Sequence, residues 1–533
     1  MKKRLFKATA AGLLLSTLMN VLPVNADTLT EFPLSEEPLE MSLIAPGTGL
    51  AEWKDMPTLQ EYEKMTNIKW EYITPPMADF STRLNLAFAS GDLPDVIFAA
   101  GSQNLTRGME VDYGSQGILL PLEDLLAENA PNLSKVLEEN PDIKKSITAP
   151  DGHIYSLPYI NHSSISIWPL GPMWYNGTWL EALGVEEVPK TVDEFYDLLV
   201  RMRDEDPNGN GQQDEIPLTD VKLDTIRLYM MASFGMKSSS IEEVDGKVRF
   251  APSTENYRGY LEFMKKLYSE KLLDQETFIQ SNEQKKAKGQ NNQIGVFQDY
   301  FSYFTLGENE KEAMNDPMFQ TLTSEFSPET LAVASPRFST GTFAVTNKAK
   351  DPAAAVRWVD YFYSEDGYEF INQGPEGFLW NKGQNAAGDE IKLFNEENVD
   401  IEKAEDYRGT ITPAYGILVP LYETDLTAIK VNPEDPDVTE FTEFLRAETE
   451  EKVTPYAEVP YPITYLTKDE QDQISMNATD ISTYVTEMEA KFITGTVELN
   501  DDTWADYLKT LENMGIEDYV KVYQGAYDRW ANS

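Results

Sequence analysis

The chain contains no cysteine and only two histidines, and these two scarcities exclude several kinds of site. Without cysteine there is no disulfide, no thiol nucleophile and no thiolate metal ligand. A catalytic triad built on histidine or a zinc centre with several histidines is not expected, because only His153 and His162 could contribute. We expect both to be ordinary polar residues near the surface.

Basic residues are also scarce, with 44 lysines and arginines against 90 aspartates and glutamates, a net charge of −46. Such a charge repels nucleic acid and anionic membrane surfaces, so neither is an expected partner. It favours a neutral ligand over a polyanion. Since 41% of the residues are hydrophobic and 11% aromatic, the composition is that of a folded protein rather than a disordered one.

Long apolar runs are missing except near the N-terminus. Four basic residues open the chain, namely Lys2, Lys3, Arg4 and Lys7. An apolar run over residues 8–18 and the small-residue sequence Val-Asn-Ala at 24–26 follow, in the order of a secretory signal. The run is shorter than the roughly 18–20 residues of a membrane span. We therefore predict a signal peptide at residues 1–26 and an extracytoplasmic protein.

The most specific motif lies at residues 204–217, where oxygen-bearing side chains recur at about every second position and glycines lie between them. A loop of this kind can wrap Ca²⁺, which takes six to eight oxygen ligands, and glycine permits the sharp turn. A register can begin at Asp204 or at Asp206, and we prefer the second because it ends in two carboxylates. The predicted ligands are Asp206, Asn208, Asn210, Gln212 through its carbonyl, Asp214 and Glu215.

The alternative for this motif is a solvated acidic turn, because Asp-Pro-Asn-Gly is also good turn chemistry. A capping box at 191–194 predicts a helix that leads straight into the loop. After the loop, Pro217 prevents a regular exit helix. We therefore expect a structural calcium site rather than a calcium sensor.

Alternating apolar residues predict strands at 39–43 and 68–72, and a short, buried apolar run predicts a third at 96–98. Apolar residues at helical spacing predict helices around 59–65 and 84–88. This strand–helix–strand–helix–strand order implies parallel pairing, with helices on the faces of the sheet.

Two more strands are predicted later in the chain, at 293–297 and 342–345. The Asp-Pro pair at 351–352 predicts the start of a helix, because proline is favoured at the first helical position. We expect that helix to end near Gly367.

The residues after position 26 are too many for one hydrophobic core, so we predict two lobes. The first lobe begins with residues 27–160. The second lobe takes residues 161–335 and carries the calcium loop. Residues 336–533 supply hinge crossings and a mostly helical part shared between the lobes.

Several motifs occur in a particular order along the chain. They are SGDLPD at 90–95, DGHIYSLP at 151–158, LGVEEVPKTVDEF at 183–195, the loop at 206–217, GPEG at 374–377, FITG at 492–495 and YDR at 527–529. Together they resemble the extracellular solute-binding proteins of carbohydrate ABC importers. The resemblance is greatest to the large branch with a calcium loop, which includes alginate-binding proteins.

This resemblance implies an α/β, two-lobed periplasmic-binding-protein-like fold (type II) with a hinge, each lobe a mostly parallel sheet flanked by helices. It implies a monomer without catalytic activity that closes on an oligosaccharide and delivers it to an ABC transporter permease. Structural Ca²⁺ in the loop belongs to the same implication. Many relatives carry a lipid-modified cysteine after the signal, and this chain has none, so its mode of retention is left open.

Ligands of open α/β sheets bind beyond the carboxyl ends of the strands, and sugar pockets combine aromatic walls with a few polar anchors. The loops after the strands that end near 44, 98 and 297 offer such residues, namely Trp53, Ser102, Gln103, Asn104, Asp299, Tyr300 and Tyr303. Further candidates beside proline or glycine are Trp168, Trp174, Glu376 and Trp380. For each tryptophan the alternative is packing in the core.

Two other functions are compatible with the sequence. A secreted carbohydrate-active hydrolase would need two carboxylates about 5–9 Å apart, and 90 acidic residues could supply such a pair by chance. A ligand-binding component of a sensor system would share the fold and the cleft. The order of the motifs favours the transport protein over the hydrolase.

Overall fold

The computed structural model of the protein describes residues 30–533, and the predicted signal peptide at residues 1–26 lies outside them. Within the described part of the chain, none of the helices is apolar and long enough to span a bilayer.

The strands are short and spread over the whole described chain. They are β1 Leu39–Ile44, β2 Ile68–Ile73, β3 Val96–Phe98, β4 Leu157–Asn161, β5 Met173–Tyr175, β6 Ile216–Leu218, β7 Ile241–Val244, β8 Lys247–Phe250, β9 Ile294–Gln298, β10 Ala332–Val333, β11 Phe338–Val345, β12 Trp380–Gln384, β13 Glu390–Phe394, β14 Tyr422–Glu423, β15 Ile429–Lys430 and β16 Ala457–Glu458.

The α-helices alternate with the strands and dominate the C-terminal part. They are α1 Pro57–Thr66, α2 Met77–Ser90, α3 Arg107–Ser115, α4 Glu123–Asn129, α5 Pro131–Glu139, α6 Pro141–Ile147, α7 Gly177–Ala182, α8 Val192–Asp204, α9 Ile226–Ala232, α10 Glu255–Ser269, α11 Asn282–Gln290, α12 Tyr303–Leu306, α13 Glu310–Ala313, α14 Pro352–Asp360, α15 Glu365–Gln373, α16 Ala404–Ile411, α17 Glu440–Lys452, α18 Lys468–Ile493, α19 Asp501–Asn513 and α20 Ile516–Ala531. Short 3₁₀ turns occupy Trp53–Asp55, Ala251–Ser253, Tyr361–Tyr363, Ile401–Lys403 and Thr454–Tyr456.

The first lobe contains a six-stranded sheet in the order β14-β4-β11-β3-β1-β2. The predicted parallel pairing of the first three strands is confirmed, since β1 lies parallel to both β2 and β3. β4 and β14 are parallel to each other as well. Only β11 is antiparallel to its neighbours β3 and β4, so the strands other than β11 all run in one direction.

Both faces of this sheet are covered, as the uninterrupted apolar sequence of β3 requires. Val96 and Phe98 face a cluster that includes Trp358 of α14. Ile97, between them, faces a second cluster with Phe80 of α2. The period-two alternation of a strand thus divides the core of the first lobe into two layers.

The second lobe is built on the three-stranded sheet β5-β9-β6, whose two faces are also covered. Tyr175 and Val296 belong to the largest apolar cluster of the molecule. Trp174 and Phe297, their neighbours in sequence, face a smaller cluster that includes Phe441 of α17. The C-terminal helices α18, α19 and α20 join the larger cluster, so residues far apart in sequence complete the second lobe.

The helix predicted from Asp351 begins as expected, because the Asp351 side chain accepts a hydrogen bond from the Ala354 amide. The prediction that it ends near Gly367 is wrong. The helix ends at Asp360, and Ser364 caps a new helix in which Gly367 is the third residue. A Cβ on Gly367 would lie 1.8 Å from the carbonyl oxygen of Tyr361, so glycine is needed for the two segments to pack together.

The chain passes between the two large sheets three times, in segments that we call the crossing segments: 162–172, 334–337 and 424–439, the last of which contains β15 and pairs there with β13 of the first lobe. The amide of Ser335 donates to the carbonyl of Ile167, and the amide of Asn161 donates to the carbonyl of Arg337. Ser164 donates through its amide to the Asp425 carboxylate at 2.9 Å. The three crossing segments are therefore hydrogen-bonded to one another and form one strip between the lobes.

Candidate ligand cleft and calcium loop

The carboxyl edges of the two large sheets face the crossing segments from opposite sides. β4 ends at Asn161, directly before the first crossing, and β11 begins at Phe338, directly after the second. In the second lobe, β5 begins directly after the first crossing and is antiparallel to β9. The loops that follow β1, β3 and β9 therefore lie at the edges on either side of the strip, where a bound ligand would contact both lobes.

The loop after β9 is fixed to the first crossing segment. A Cβ on Gly171 would lie 2.5 Å from the carbonyl oxygen of Asp299 and from the amide of Tyr300, so only glycine permits this close approach. The carbonyl of Gly171 accepts hydrogen bonds from the Tyr229 hydroxyl at 2.9 Å and from the side-chain amide of Gln298 at 2.8 Å. Movement of this loop is thereby tied to movement of the crossing.

Two aromatic rings of this region are exposed to solvent, whereas most tyrosine and phenylalanine rings of the described chain are buried or half-buried. Tyr300 is 56% exposed and Phe304 is 45% exposed. Asp299 lies beside them, where its carboxylate accepts from Thr305 at 2.8 Å and pairs with Lys286 at 3.3 Å. Asp299 and Tyr300 were predicted from the sequence, whereas Phe304 and Lys286 were not, because they belong to helices and follow no strand end.

On the first lobe, Ser102, Gln103 and Asn104 form a tight turn after β3. The Leu105 amide donates to the carbonyl of Gly101 at 2.9 Å, and Gly101 has a φ of +70°. The Asn104 amide group donates to the Ala100 carbonyl at 2.7 Å. Gln103 is exposed, and Ser102 and Asn104 are half-buried, so this loop presents side-chain amide and hydroxyl groups at the carboxyl edge of the sheet.

Arg337, in the second crossing segment, is a polar group that was not predicted from the sequence. Its Nε donates to the Ser166 hydroxyl at 2.8 Å. It is half-buried, and in residues 30–533 no carboxylate pairs with it. Burial, followed by the charge of Arg337, lowers the pKa of His162. A guanidinium held between the lobes offers hydrogen-bond donors to a neutral polar ligand.

The structure places three of the four candidate tryptophans in the core, as their alternative interpretation foresaw. Trp53 is 1% exposed and meets Phe98 edge-on at 5.8 Å. Trp174 is fully buried, with its indole N–H donated to the Asp299 carbonyl. Trp168 is buried and donates to Thr449 of α17. None of these rings presents a face for stacking, so we leave them out of the proposed ligand contacts.

Trp380 begins β12 of the small sheet β12-β13-β15 in the first lobe, and Glu376 lies in the turn before it. Both residues line a cavity of about 510 Å³. The Glu376 carboxylate accepts from the Lys382 amide at 3.3 Å. The Trp380 indole N–H donates to the Gly374 carbonyl, and the ammonium group of Lys392 lies 4.8 Å from the ring centre. No hydrogen bond or ring contact in the described chain joins these residues to the loops after β3 and β9.

The predicted calcium loop follows α8, whose capping box at Thr191 and Glu194 is present as expected. Asp206, with a φ of +51°, turns the chain out of the helix. Its carboxylate accepts from the amides of Asn210 at 3.1 Å and Gly211 at 3.0 Å. The amide of Gln212 donates to the side-chain oxygen of Asn210 at 2.7 Å. These bonds wrap the backbone around the oxygen atoms of the loop.

At the end of the loop, the charges of Asp206 and Asp214 act unfavourably on the carboxylate of Glu215. Asp214 accepts from the side-chain amides of Asn208 and Asn210, and together with a bond from Gln293 these lower its pKa. The Oε1 of Glu215 is buried and has no hydrogen-bond donor among residues 30–533. Burial, followed by the charges of Asp214 and Asp206, raises its pKa.

In residues 30–533 no three histidine, aspartate or glutamate side chains converge on a common metal position. The predicted donors of the loop include only three carboxylates, Asp206, Asp214 and Glu215, and the rest are amide or carbonyl oxygens. The partnerless oxygen of Glu215, buried near two other carboxylates, is what a cation would satisfy. The residues of the loop therefore fit Ca²⁺.

Two α/β lobes joined by a strip of crossing segments, with polar and aromatic loops on either side of it, define a two-lobed binding fold. Residues 47–369 match the family of bacterial extracellular solute-binding proteins. Because the match covers more than half of the chain, the protein belongs to that family. This result and the relatives below confirm the recognition made from the ordered motifs.

The chain is 30% identical over 495 residues to the fructooligosaccharide ABC transporter substrate-binding protein FusA of Streptococcus pneumoniae, which covers 89% of this chain and 86% of FusA. The structure of FusA in complex with kestose is similar with a TM-score of 0.71 at 26% identity, over 93% of this chain and 100% of that one. The structure of a FusA EF-hand mutant in complex with fructo-nystose is equally similar.

A structure of the alginate-binding protein AlgQ2 without calcium ion shares the fold, with a TM-score of 0.67 at 21% identity. It covers 93% of this chain and 99% of that one. The two-lobed α/β fold expected from the sequence is thereby confirmed.

The burial of Trp53 gives a testable prediction. Trp53→Ala removes a ring that is packed against Tyr72 of β2 and Phe98 of β3, so we expect the first lobe to lose about 3–5 kcal/mol of unfolding free energy. Tyr300→Ala, at an exposed ring, is the matched control and should change it by less than about 0.5 kcal/mol. Urea unfolding of both variants measures the difference. Equal stabilities would show that Trp53 is not a core residue.

Proposed function

We propose that the protein is the extracytoplasmic binding component of an ABC importer and captures an oligosaccharide between its lobes. The observation that carries this proposal is the pair of loops at facing sheet edges, one rich in amide and hydroxyl groups and the other carrying exposed rings. Sugars present hydroxyl groups to the first kind of surface and apolar C–H faces to the second. Family membership and the 30% identity to FusA support it.

The ligand class that we infer is a neutral fructooligosaccharide of the size of kestose. The relation to FusA supports this class, and so does the chemistry of the cleft. Tyr300 and Phe304 offer apolar faces, whereas Gln103 and Arg337 offer hydrogen-bond donors. With a net charge of −46, the protein as a whole favours a neutral ligand over an anionic one.

The same proposal includes delivery of the sugar to a permease, a monomeric state and the absence of catalysis. Glu376 and Trp380 stay in it as a second sugar-binding surface, because a half-buried ring beside carboxylates and lysines has the chemistry of a sugar subsite. No arrangement in the cleft described above favours the hydrolase or the sensor component over transport.

Calcium is the remaining part of the proposal. A structural Ca²⁺ ion in the loop would link the end of α8 to the start of β6. Its ligands would be Asp206, Asn208, Asn210, the carbonyl of Gln212, Asp214 and Glu215. The partnerless Glu215 oxygen and the wrapped backbone support this assignment. Ion binding would neutralise the repulsion between Glu215 and its neighbours, so it would stabilise the second lobe.

Chelation is expected to lower the melting temperature, because an ion that binds only the folded chain stabilises it. At free Ca²⁺ a hundredfold above Kd, the contribution is about 2.7 kcal/mol. The double variant Asp206→Asn, Glu215→Gln should melt at a lower temperature with no further response to EDTA. Differential scanning calorimetry with and without EDTA measures both effects.

Asp204→Asn is the matched control, since Asp204 ends α8 and pairs with Arg203 at 2.7 Å. It should respond to EDTA as the wild type does. If it loses the response, the register that begins at Asp204 is the correct one. A wild-type melting temperature that EDTA leaves unchanged would contradict a calcium site in either register.

The aromatic surface is tested with kestose. Tyr300→Ala and Phe304→Ala should each weaken binding by about 1–3 kcal/mol through loss of buried apolar area, measured by isothermal titration calorimetry. Leu86→Ala, at an equally exposed side chain of α2, should leave the affinity unchanged. Kestose recovered after the titration should be intact, whereas shorter sugars would favour the hydrolase. Unchanged affinity in both ring variants would contradict the assigned contacts.

A further inference from the structure

Glu110 of α3 is a fully buried carboxyl group with an incomplete set of partners. Its Oε2 accepts hydrogen bonds from the hydroxyl groups of Ser156, at 2.8 Å, and Tyr465, at 2.6 Å. Its Oε1 is buried and has no donor in the described chain. A buried carboxylate with one oxygen unsatisfied is costly, so its protonation state matters to the structure around it.

A chain of hydrogen bonds runs from Glu110 to the candidate ligand loop of the first lobe. The Ser156 oxygen accepts from the amide of Gly341 at 3.0 Å, and the carbonyl of Gly341 accepts from the amide of Gly101 at 2.9 Å. Gly341 has a φ of +73°, and an added Cβ would lie 2.5 Å from the Leu105 carbonyl. The contact between β11 and the loop is therefore close and fixed.

The other side of Glu110 leads to the C-terminal helices. Tyr465 lies three residues before α18, and it packs in the same apolar cluster as Leu105 of the first lobe. The backbone carbonyl of Tyr465 accepts from Arg529 of α20, which also pairs with Glu470 at 2.5 Å. Since α18 and α20 pack on the second lobe, Glu110 lies where the two lobes are joined outside the crossing segments.

We propose that Glu110 is a positioning residue that ties the ligand loop, residues 101–104, to the C-terminal helices, and that the tie is held while its carboxyl group is neutral and loosens when it ionises. This inference deepens the proposed function, since it rests on the loop being part of the sugar site.

The physical reason is the balance of forces at the carboxyl group. Burial raises the pKa of Glu110 from 4.5 to about 7, although the bonds from Tyr465 and Ser156 and the charge of Arg107 act in the opposite direction. Arg107 lies on the same helix, and the hydroxyl groups that donate to Glu110 come from Ser156 and from Tyr465, which precedes α18. Lys468, the nearest lysine along the C-terminal segment, pairs instead with Asp112, at 3.4 Å.

The direction of the pH dependence follows from linkage. While the tie is held and Glu110 is buried, its carboxyl group keeps its proton up to about pH 7, whereas in the loosened tie the solvated group would lose it near 4.5. Between these values the held tie binds more protons than the loosened one, so a rise in pH favours loosening by up to about tenfold per pH unit. Above about pH 7 Glu110 is ionised in both states and the effect levels off.

Hydrogen exchange measured by mass spectrometry tests the proposal without a ligand. In the wild type, the exchange rate of peptides covering 99–105 and 339–343 should rise about tenfold or more between pH 5.5 and 7.5, after correction for the intrinsic exchange rate. Glu110→Gln keeps a neutral acceptor and should stay protected at every pH. Glu110→Ala removes the acceptor and should be open at every pH. In the wild type the exchange of the peptide over 461–466 should also rise with pH, and Tyr465→Phe should abolish that rise.

Asp360→Asn is the matched control, because Asp360 is another buried first-lobe carboxyl group whose pKa burial raises, to about 6. This variant should retain the wild-type step in the loop peptides. A wild type without a step, or a step that survives in Glu110→Gln, overturns the inference. The pH-dependent change in exchange could behave as expected while Gln103→Ala leaves the kestose affinity unchanged. In that case the tie through Glu110 would stand, but the loop would not belong to the proposed sugar site.

Discussion

The structure depends on one constraint, that the chain builds two cores while it passes between them three times. Each crossing segment is bonded to another, as Ser335 is to Ile167 and Ser164 is to Asp425. Neither lobe can therefore be assembled from a continuous stretch of sequence. The helices after residue 440 complete the second lobe, and β11 and α14 complete the first. Long-range pairing is the cost of placing a binding surface between two independent cores.

This constraint also determines where polar groups can act. The loop after β9 is pressed against Gly171 of the first crossing, and Arg337 belongs to the second crossing. Rotation of the lobes about the crossing segments would move Tyr300 relative to the loop at 101–104. The crossing segments themselves would change little. Hinge closure of this kind needs only a few element-terminal residues to absorb the change in backbone angles.

Local patterns in the sequence were sufficient for the elements but not for the packing between distant segments. The strands β1 and β2 follow from alternation and β3 from a short apolar run, because these patterns depend only on which faces of each strand are buried. The break at Asp360 could not be predicted, since it depends on how Gly367 meets Tyr361 across a turn. Trp53 follows a strand end, as a ligand residue would, but Phe98 and Tyr72 enclose it.

The residues of the candidate site likewise include some that follow from local sequence patterns and others that depend on packing between distant segments. Asp299, Tyr300 and the loop at 102–104 were found because the carboxyl-edge rule needs only the strand ends. Phe304, Lys286 and Arg337 were missed because their places depend on α11, α12 and a crossing segment. Glu110 carries no sequence signal, since one glutamate among 90 acidic residues gives no hint that it is buried.

The central claim, that the lobes close on a sugar held beside the crossing segments, is tested most directly by small-angle X-ray scattering during a titration with kestose. The account predicts a smaller radius of gyration at saturation, and no change in the double variant Tyr300→Ala, Phe304→Ala at the same sugar concentration. Saturation of the wild type, verified by calorimetry on the same samples, with an unchanged radius of gyration would contradict it.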